Sequence, residues 1–177
     1  MTGDILPMYG GVDECLRHLD ESRRELLELL GDVDESTMTH RPDDETWSIA
    51  MIAEHIALAE MSAAKVIRLL RRGADAASFA KRPVEPGRRR PDGRAIAPAL
   101  TEPTGRLGRA DVHARLADAR GLLLEVVASG EHPIDRDAHF PHPFFGALNG
   151  LGWLQMAAYH EHHHLQQIRT RTAQRST

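Results

Sequence analysis

The sequence predicts an all-α fold, a bundle of four helices joined by long crossover loops, on three observations. Four segments of roughly twenty residues carry apolar side chains at intervals of three and four, the period of an amphipathic helix. Strand-like alternation is absent throughout. Two proline-containing stretches, 73–103 and 129–147, break the helical period and separate the segments. At 177 residues, with 41% apolar and 27% charged side chains, the chain is expected to form a single domain with a sizeable core.

The first helix is expected over Val12–Leu30, where Val12, Leu16, Leu19, Leu26, Leu27 and Leu30 form a stripe interrupted by Arg23. Gly31 is its stop. Cys15 lies beside the stripe and is read as a small core residue. Residues 32–46 are polar, contain Pro42 and read as a connection. The second helix is expected from Thr46 or Ser48 to Arg72, with Met51, Ile52, His55, Leu58, Ala59 and Ser62 on one side. Arg68, Arg71 and Arg72 favour its negative end, and Gly73 closes it. The stretch 73–103 holds five prolines and the run Arg88, Arg89, Arg90, followed by Arg94. Neither flank has enough apolar helix to stand alone, so it is read as a crossover loop rather than a linker. Its arginines are expected to be solvated, with contact to an anion as the alternative.

A third helix is expected over Thr104–Ala128, carrying Leu107, Val112, Leu116, Ala119, Leu123, Val126 and Val127 inward. Residues 129–147 are non-periodic and hold Phe140, Phe144 and Phe145, which either pack the loop down or line a pocket. The last helix is expected over Leu148–Arg169, with Trp153, Met156, Ala157, Leu165 and Ile168 inward and a fraying tail from Thr170.

Several function classes are disfavoured by composition. A net charge of −4 leaves no basic excess for nucleic acid or anionic membrane. No stretch approaches eighteen apolar residues, so no transmembrane helix is expected. One cysteine permits no internal disulfide, and no secretory design is read at the N-terminus; a cytoplasmic location is therefore expected.

The unusual feature is eleven histidines, eight of them between His113 and His164. His160 and His164 lie one turn apart on the face that continues from Trp153 and Met156. Two imidazoles facing a bundle interior need partners, and one shared cation satisfies both. His55, on the inward side of the second helix, is the expected third ligand, because facing helices of a bundle bring such residues level. Three neutral imidazoles with an open fourth position suit zinc or nickel first, with iron, copper or manganese as alternatives. His160-Glu161-x-x-His164 also matches a zinc-peptidase motif with Glu161 as base. The thirteen residues after His164 offer no further His, Asp or Glu ligand, and Glu161 is read as solvent-side, at most within reach of Arg169. His162 is expected to be exposed. His163, with Gln166 and Gln167, is a candidate outer-shell group, whereas His139 and His142 have no spacing that fixes their relation to the site.

Three stretches carry a family resemblance: Trp47-Ser48-Ile49 with Glu54-His55-Ile56; His142-Pro143-Phe144-Phe145-Gly146; and Trp153 leading to His160, His163-His164 and Gln167-Ile168. In these the chain resembles the DinB-like metal-binding four-helix proteins. The resemblance implies an up-down-down-up bundle with metal ligands at His55, His160 and His164. It also implies, through some relatives, a thiol-dependent transferase or isomerase using mycothiol, bacillithiol or glutathione. Hydrolysis by metal-bound water and a non-catalytic metal- or ligand-binding role stay open beside it, as does a homodimer. Catalytic and thiol-binding residues are not assigned.

Overall fold

The computed structural model describes residues 5–43, 45–74 and 84–173. Residues 75–83 of the predicted crossover and 174–177 of the predicted tail lie outside them. Five α-helices occur among the described residues: α1 (Val12–Asp32), α2 (Glu35–Thr39), α3 (Ile49–Arg71), α4 (Arg109–Ala128) and α5 (Gly150–Ala173). Four of them are long, as expected, and the fold is an all-α helical bundle. The polar connection 32–46 is not wholly irregular, because Asp34 accepts a bond from the Thr37 N–H at 2.8 Å and so starts the short α2. A second departure is a hairpin of β1 (Phe140–His142) and β2 (Gly146–Leu148), antiparallel with His142 opposite Gly146. Strands of three residues are too short to show alternation, which is why the sequence reads as irregular there.

Helix ends follow local chemistry. Ser48 caps α3 through its hydroxyl, which accepts the Met51 N–H at 3.1 Å. Gly73 takes φ of +86° just past the end, with the Gly73 and Ala74 N–H groups closing on Leu70 and Leu69 carbonyls. Helix α4 begins five residues later than expected, because Thr104 and Gly105 are engaged elsewhere. The buried carboxylate of Glu54 accepts the Thr104 N–H at 3.0 Å and the Gly105 N–H at 3.4 Å. Helix α5 persists through Ala173 rather than fraying at Thr170.

α3 packs on α4 and α5, and α1 packs on α5. Buried alanines at positions 50, 53, 57, 59, 63 and 64 let α3 sit in the middle of this arrangement. The apolar core divides into two clusters, one containing Leu19, Ala63, Leu123 and Ala158, the other Leu26, Ala57, Leu116 and Leu165. Between them lies a polar layer to which each long helix contributes one charged residue: Arg23, Glu60, Arg120 and Glu161.

This layer corrects the sequence reading of Glu161. Its side chain is 1% exposed, not solvent-side. Arg23 Nε donates to Glu161 Oε1 at 2.9 Å, and Arg23 NH2 donates to Glu60 Oε2 at 2.6 Å. Arg120 completes the ring with bonds to Glu60 Oε1 at 2.5 Å and Glu161 Oε2 at 2.7 Å. Burial pushes the Glu161 carboxyl upward while the Arg23 and Arg120 guanidiniums oppose that push. Arg169 pairs with Glu25 instead. The helical spacing carried the answer: Glu161 lies four residues from Ala157 and four from Leu165, both buried.

Candidate metal centre

α5 is buried on two faces. One presents Glu161 to the polar layer; the other carries Trp153, Met156, His160 and His164 toward α3. His55, on α3, is 6% exposed, with the Trp47 ring 4.9 Å from its own. The structure brings together the three histidines that the spacing selects. His160 Nε2 lies 3.0 Å from His55 Nε2 and 3.2 Å from His164 Nε2. One nitrogen from each ring falls within 4.8 Å of the others.

The outer nitrogens decide the tautomers. His55 Nδ1 is 2.6 Å from the Thr101 carbonyl oxygen, which can only accept, so Nδ1 carries the proton and Nε2 keeps its lone pair. His164 Nδ1 stands in the same relation to Gln167 Oε1 at 2.9 Å, leaving its Nε2 as a lone pair too. Gln167 reaches His163 Nε2 with its amide nitrogen at 3.1 Å, so one amide orients both rings. Gln166 bonds Arg169 instead.

Three Nε2 atoms at such separations are poorly satisfied by each other. Two of them hold lone pairs, and the one hydrogen that His160 Nε2 could carry cannot serve both fully. The set fits a cation better. A tetrahedral ion bound by imidazoles at about 2.05 Å puts neighbouring nitrogens about 3.3 Å apart, close to the separations seen. Burial lowers the pKa of all three rings, that of His164 to about 3, with the neighbouring imidazoles adding to the effect on His160 and His164. Neutral imidazole is the form that binds a metal. The rings of His55 and His164 also have the outer-shell partner typical of metal-bound histidine. Thr101, in the short 3-10 turn Ala99–Thr101 of the crossover, was not legible in advance, since no spacing rule links it to His55.

The remaining histidines separate cleanly. His162 is exposed and meets the Tyr9 hydroxyl at 3.5 Å. His163 is exposed, stacks on Tyr159 and borders the site through Gln167 and an edge contact with the His164 ring, 5.1 Å between centroids. His139 lies 3.4 Å from Asp137. His142 packs 5.0 Å from Trp153 and 5.1 Å from Phe145, so the phenylalanine-rich loop is pinned to the body beside the site. The arginine run behaves mostly as a surface loop: Arg90 pairs with Glu45, Arg94 with Asp92, and Arg89 lies over the Phe144 ring at 5.5 Å. Cys15 is fully buried and takes no part. Surface grooves of about 350 Å³ beside Leu29 and about 250 Å³ between His18 and His162 are not lined by the three histidines. No helix among the described residues is long and apolar enough to cross a membrane.

A family model described as the DinB superfamily matches residues 18–168. The chain is 26% identical over 151 residues to the uncharacterized protein YuaE of Bacillus subtilis (strain 168), an alignment covering 85% of this chain and 92% of the relative. Among solved structures it is similar to TT2238, described as a four-helix bundle protein. There the identity is 38%, the TM-score 0.64, and the alignment covers 89% of this chain and 96% of the other.

Proposed function

We propose that this chain, which belongs to the DinB superfamily, is a metal-dependent enzyme that holds one divalent ion on His55, His160 and His164 and uses it to activate a small thiol toward an electrophile. The observation that carries this reading is the convergence of three Nε2 atoms, two with their lone pairs aimed by Thr101 and Gln167. A bound divalent ion supplies Lewis acidity that lowers the pKa of a coordinated thiol. The chain's own residues do the rest. Thr101 and Gln167 fix ring orientation, and the Trp47 ring covers one side of His55. Zinc or nickel suits three imidazoles plus a sulfur ligand best.

Thiol transfer is favoured over hydrolysis by the position of Glu161. Both of its oxygens are occupied by Arg23 and Arg120 in the polar layer, so it is not available as a base for water. The peptidase reading fails on the same bonds. A reducing, cytoplasmic setting suits both the thiol chemistry and an unpaired Cys15.

We read the path of the four long helices as up-down-down-up. Support comes from the order of cross-helix bonds: Glu60–Arg120 and Arg68–Glu125 ascend together along α3 and α4, as do Arg23–Glu161 and Glu25–Arg169 along α1 and α5. Two parallel neighbours require a long crossover, which the stretch between α3 and α4 supplies.

Metal analysis of the purified protein tests the centre: one equivalent is expected in the native chain and a large deficit in His160→Ala. Stoichiometric metal in His160→Ala would overturn the ligand set. Incubating the metal-loaded protein with glutathione, bacillithiol or mycothiol and a chromogenic chloronitroarene tests the chemistry. A rate no higher than that of free metal would reduce the protein to a metal-binding role.

A further inference from the structure

His142 has no part in the ligand set, and its hydrogen bonding says why. The Phe144 backbone N–H donates to His142 Nδ1 at 3.1 Å. An amide can only donate, so Nδ1 holds a lone pair and the proton of the neutral ring sits on Nε2. Burial keeps the ring neutral, pushing its pKa down to about 4. This is the reverse of His55 and His164, whose Nε2 atoms hold lone pairs. His142 as seated cannot be a ligand, and what it offers instead is an N–H.

The ring is fixed beside the histidine site. It packs on Trp153, two turns before His160 on the same face of α5, and on Phe145, whose ring lies 5.8 Å from that of Tyr159, the residue preceding His160. It is near enough that a charge on it would act on His160. The hairpin that carries it is clamped by the crossover. The Gly87 N–H donates to the Pro143 carbonyl at 2.9 Å, and a Cβ at Gly87 would lie only 2.2 Å from the Phe144 ring. No acceptor among the described residues is bonded to His142 Nε2. Among the described residues, the buried side-chain nitrogens left without a partner are His113 Nε2 and Arg136 NH1, and His142 Nε2 is not one of them.

We propose that His142 presents its Nε2–H as a hydrogen-bond donor to the ligand of the metal centre, so that the site selects ligands with an oxygen acceptor beside the metal-binding atom, carboxylates and related acyl groups. This rests on the metal reading above. A carboxylate can place one oxygen on the ion and the other on the donor, while Phe145 and Trp153 supply an apolar wall for its substituent.

The test uses the full chain loaded with cobalt(II), whose visible spectrum reports ligand exchange without any turnover. Acetate is the probe with a second acceptor, and imidazole is the probe without one. His142→Phe keeps the ring packing and loses the donor; His142→Gln keeps an N–H. Acetate affinity is expected to fall about tenfold or more in His142→Phe, as for loss of a hydrogen bond to a charged group. Imidazole affinity should stay within about twofold, and His142→Gln should recover part of the acetate affinity. The proposal is overturned if acetate and imidazole weaken together, if acetate is unaffected, or if His142→Phe loses its cobalt. Failure of the native chain to take up cobalt would instead overturn the metal reading itself. Should His142→Phe not fold, His142→Leu, which also lacks the donor, decides: a fall in acetate affinity beyond about tenfold with imidazole unchanged supports the donor, and no fall, or an equal fall in both, refutes it.

Discussion

Replacing Arg23 with methionine removes one of the two arginines that bridge both glutamates of the polar layer. Four hydrogen bonds disappear: two to Glu161, one to Glu60 and one to the Leu116 carbonyl. Two carboxylates then face Arg120 alone, leaving one uncompensated negative charge where the side chains of Glu60 and Glu161 are 3% and 1% exposed. Breaking a buried ion pair by removing one partner costs about 3–5 kcal/mol. A chain of this length loses about 2–4 °C per kcal/mol, so the melting temperature should fall by about 6–20 °C. The measurement is urea or thermal unfolding followed by circular dichroism, with chelator present so that released metal adds nothing. Adding Glu161→Gln to Arg23→Met restores charge balance and should recover at least about 2 kcal/mol relative to the sum of the single variants. A loss below about 1 kcal/mol for Arg23→Met, or strictly additive losses in the double variant, would show that the layer is not a coupled unit.

Two further outcomes follow from the site. Gln167→Leu takes the acceptor from His164 Nδ1 and should weaken metal binding about 10–100-fold, measured by competition with a chromogenic chelator; unchanged affinity would remove Gln167 from the site's support. Metal-free protein should lose stability as pH falls from about 6.5 toward 4. His142 and His164 have folded pKa values of about 4 and about 3, so the unfolded chain protonates first and the stability present above the unfolded value is lost on acidification. By pH 5 each ring accounts for up to about 2 kcal/mol, and a flat pH profile of the melting temperature would contradict the buried, neutral state of these rings.

Much of the centre was legible because helical spacing is rigid. His160 and His164 must share a face, and His55 sits among Met51, Ile52 and Ala59 on a stripe that had to meet it. What escaped were bonds made across long separations. Glu54 stops α4 from beginning at Thr104 from fifty residues away, and Thr101 reaches His55 from 46. Arg23 looked like a flaw in a leucine stripe, and Glu161 like a neighbour of exposed His162. A charged residue in an apolar stripe is uninterpretable until its counter-charge on another helix is known. The hairpin was missed for a different reason: three residues, one of them Pro141, leave no room for a period to show.

His160 and Glu161 are chain neighbours that face opposite ways, one toward His55, 105 residues earlier, the other toward Arg23, 138 residues earlier. Both closures therefore wait for the last helix. A growing chain on the ribosome that has not yet released α5 holds Arg23, Arg120 and Glu60 without their second carboxylate and His55 without its companions. Such an intermediate carries a surplus positive charge in what will become its centre, which opposes early burial of the layer. Commitment to the native fold is thus tied to the emergence of α5, and loss of that helix should yield a chain cleared by proteolysis rather than a folded protein that merely lacks a site.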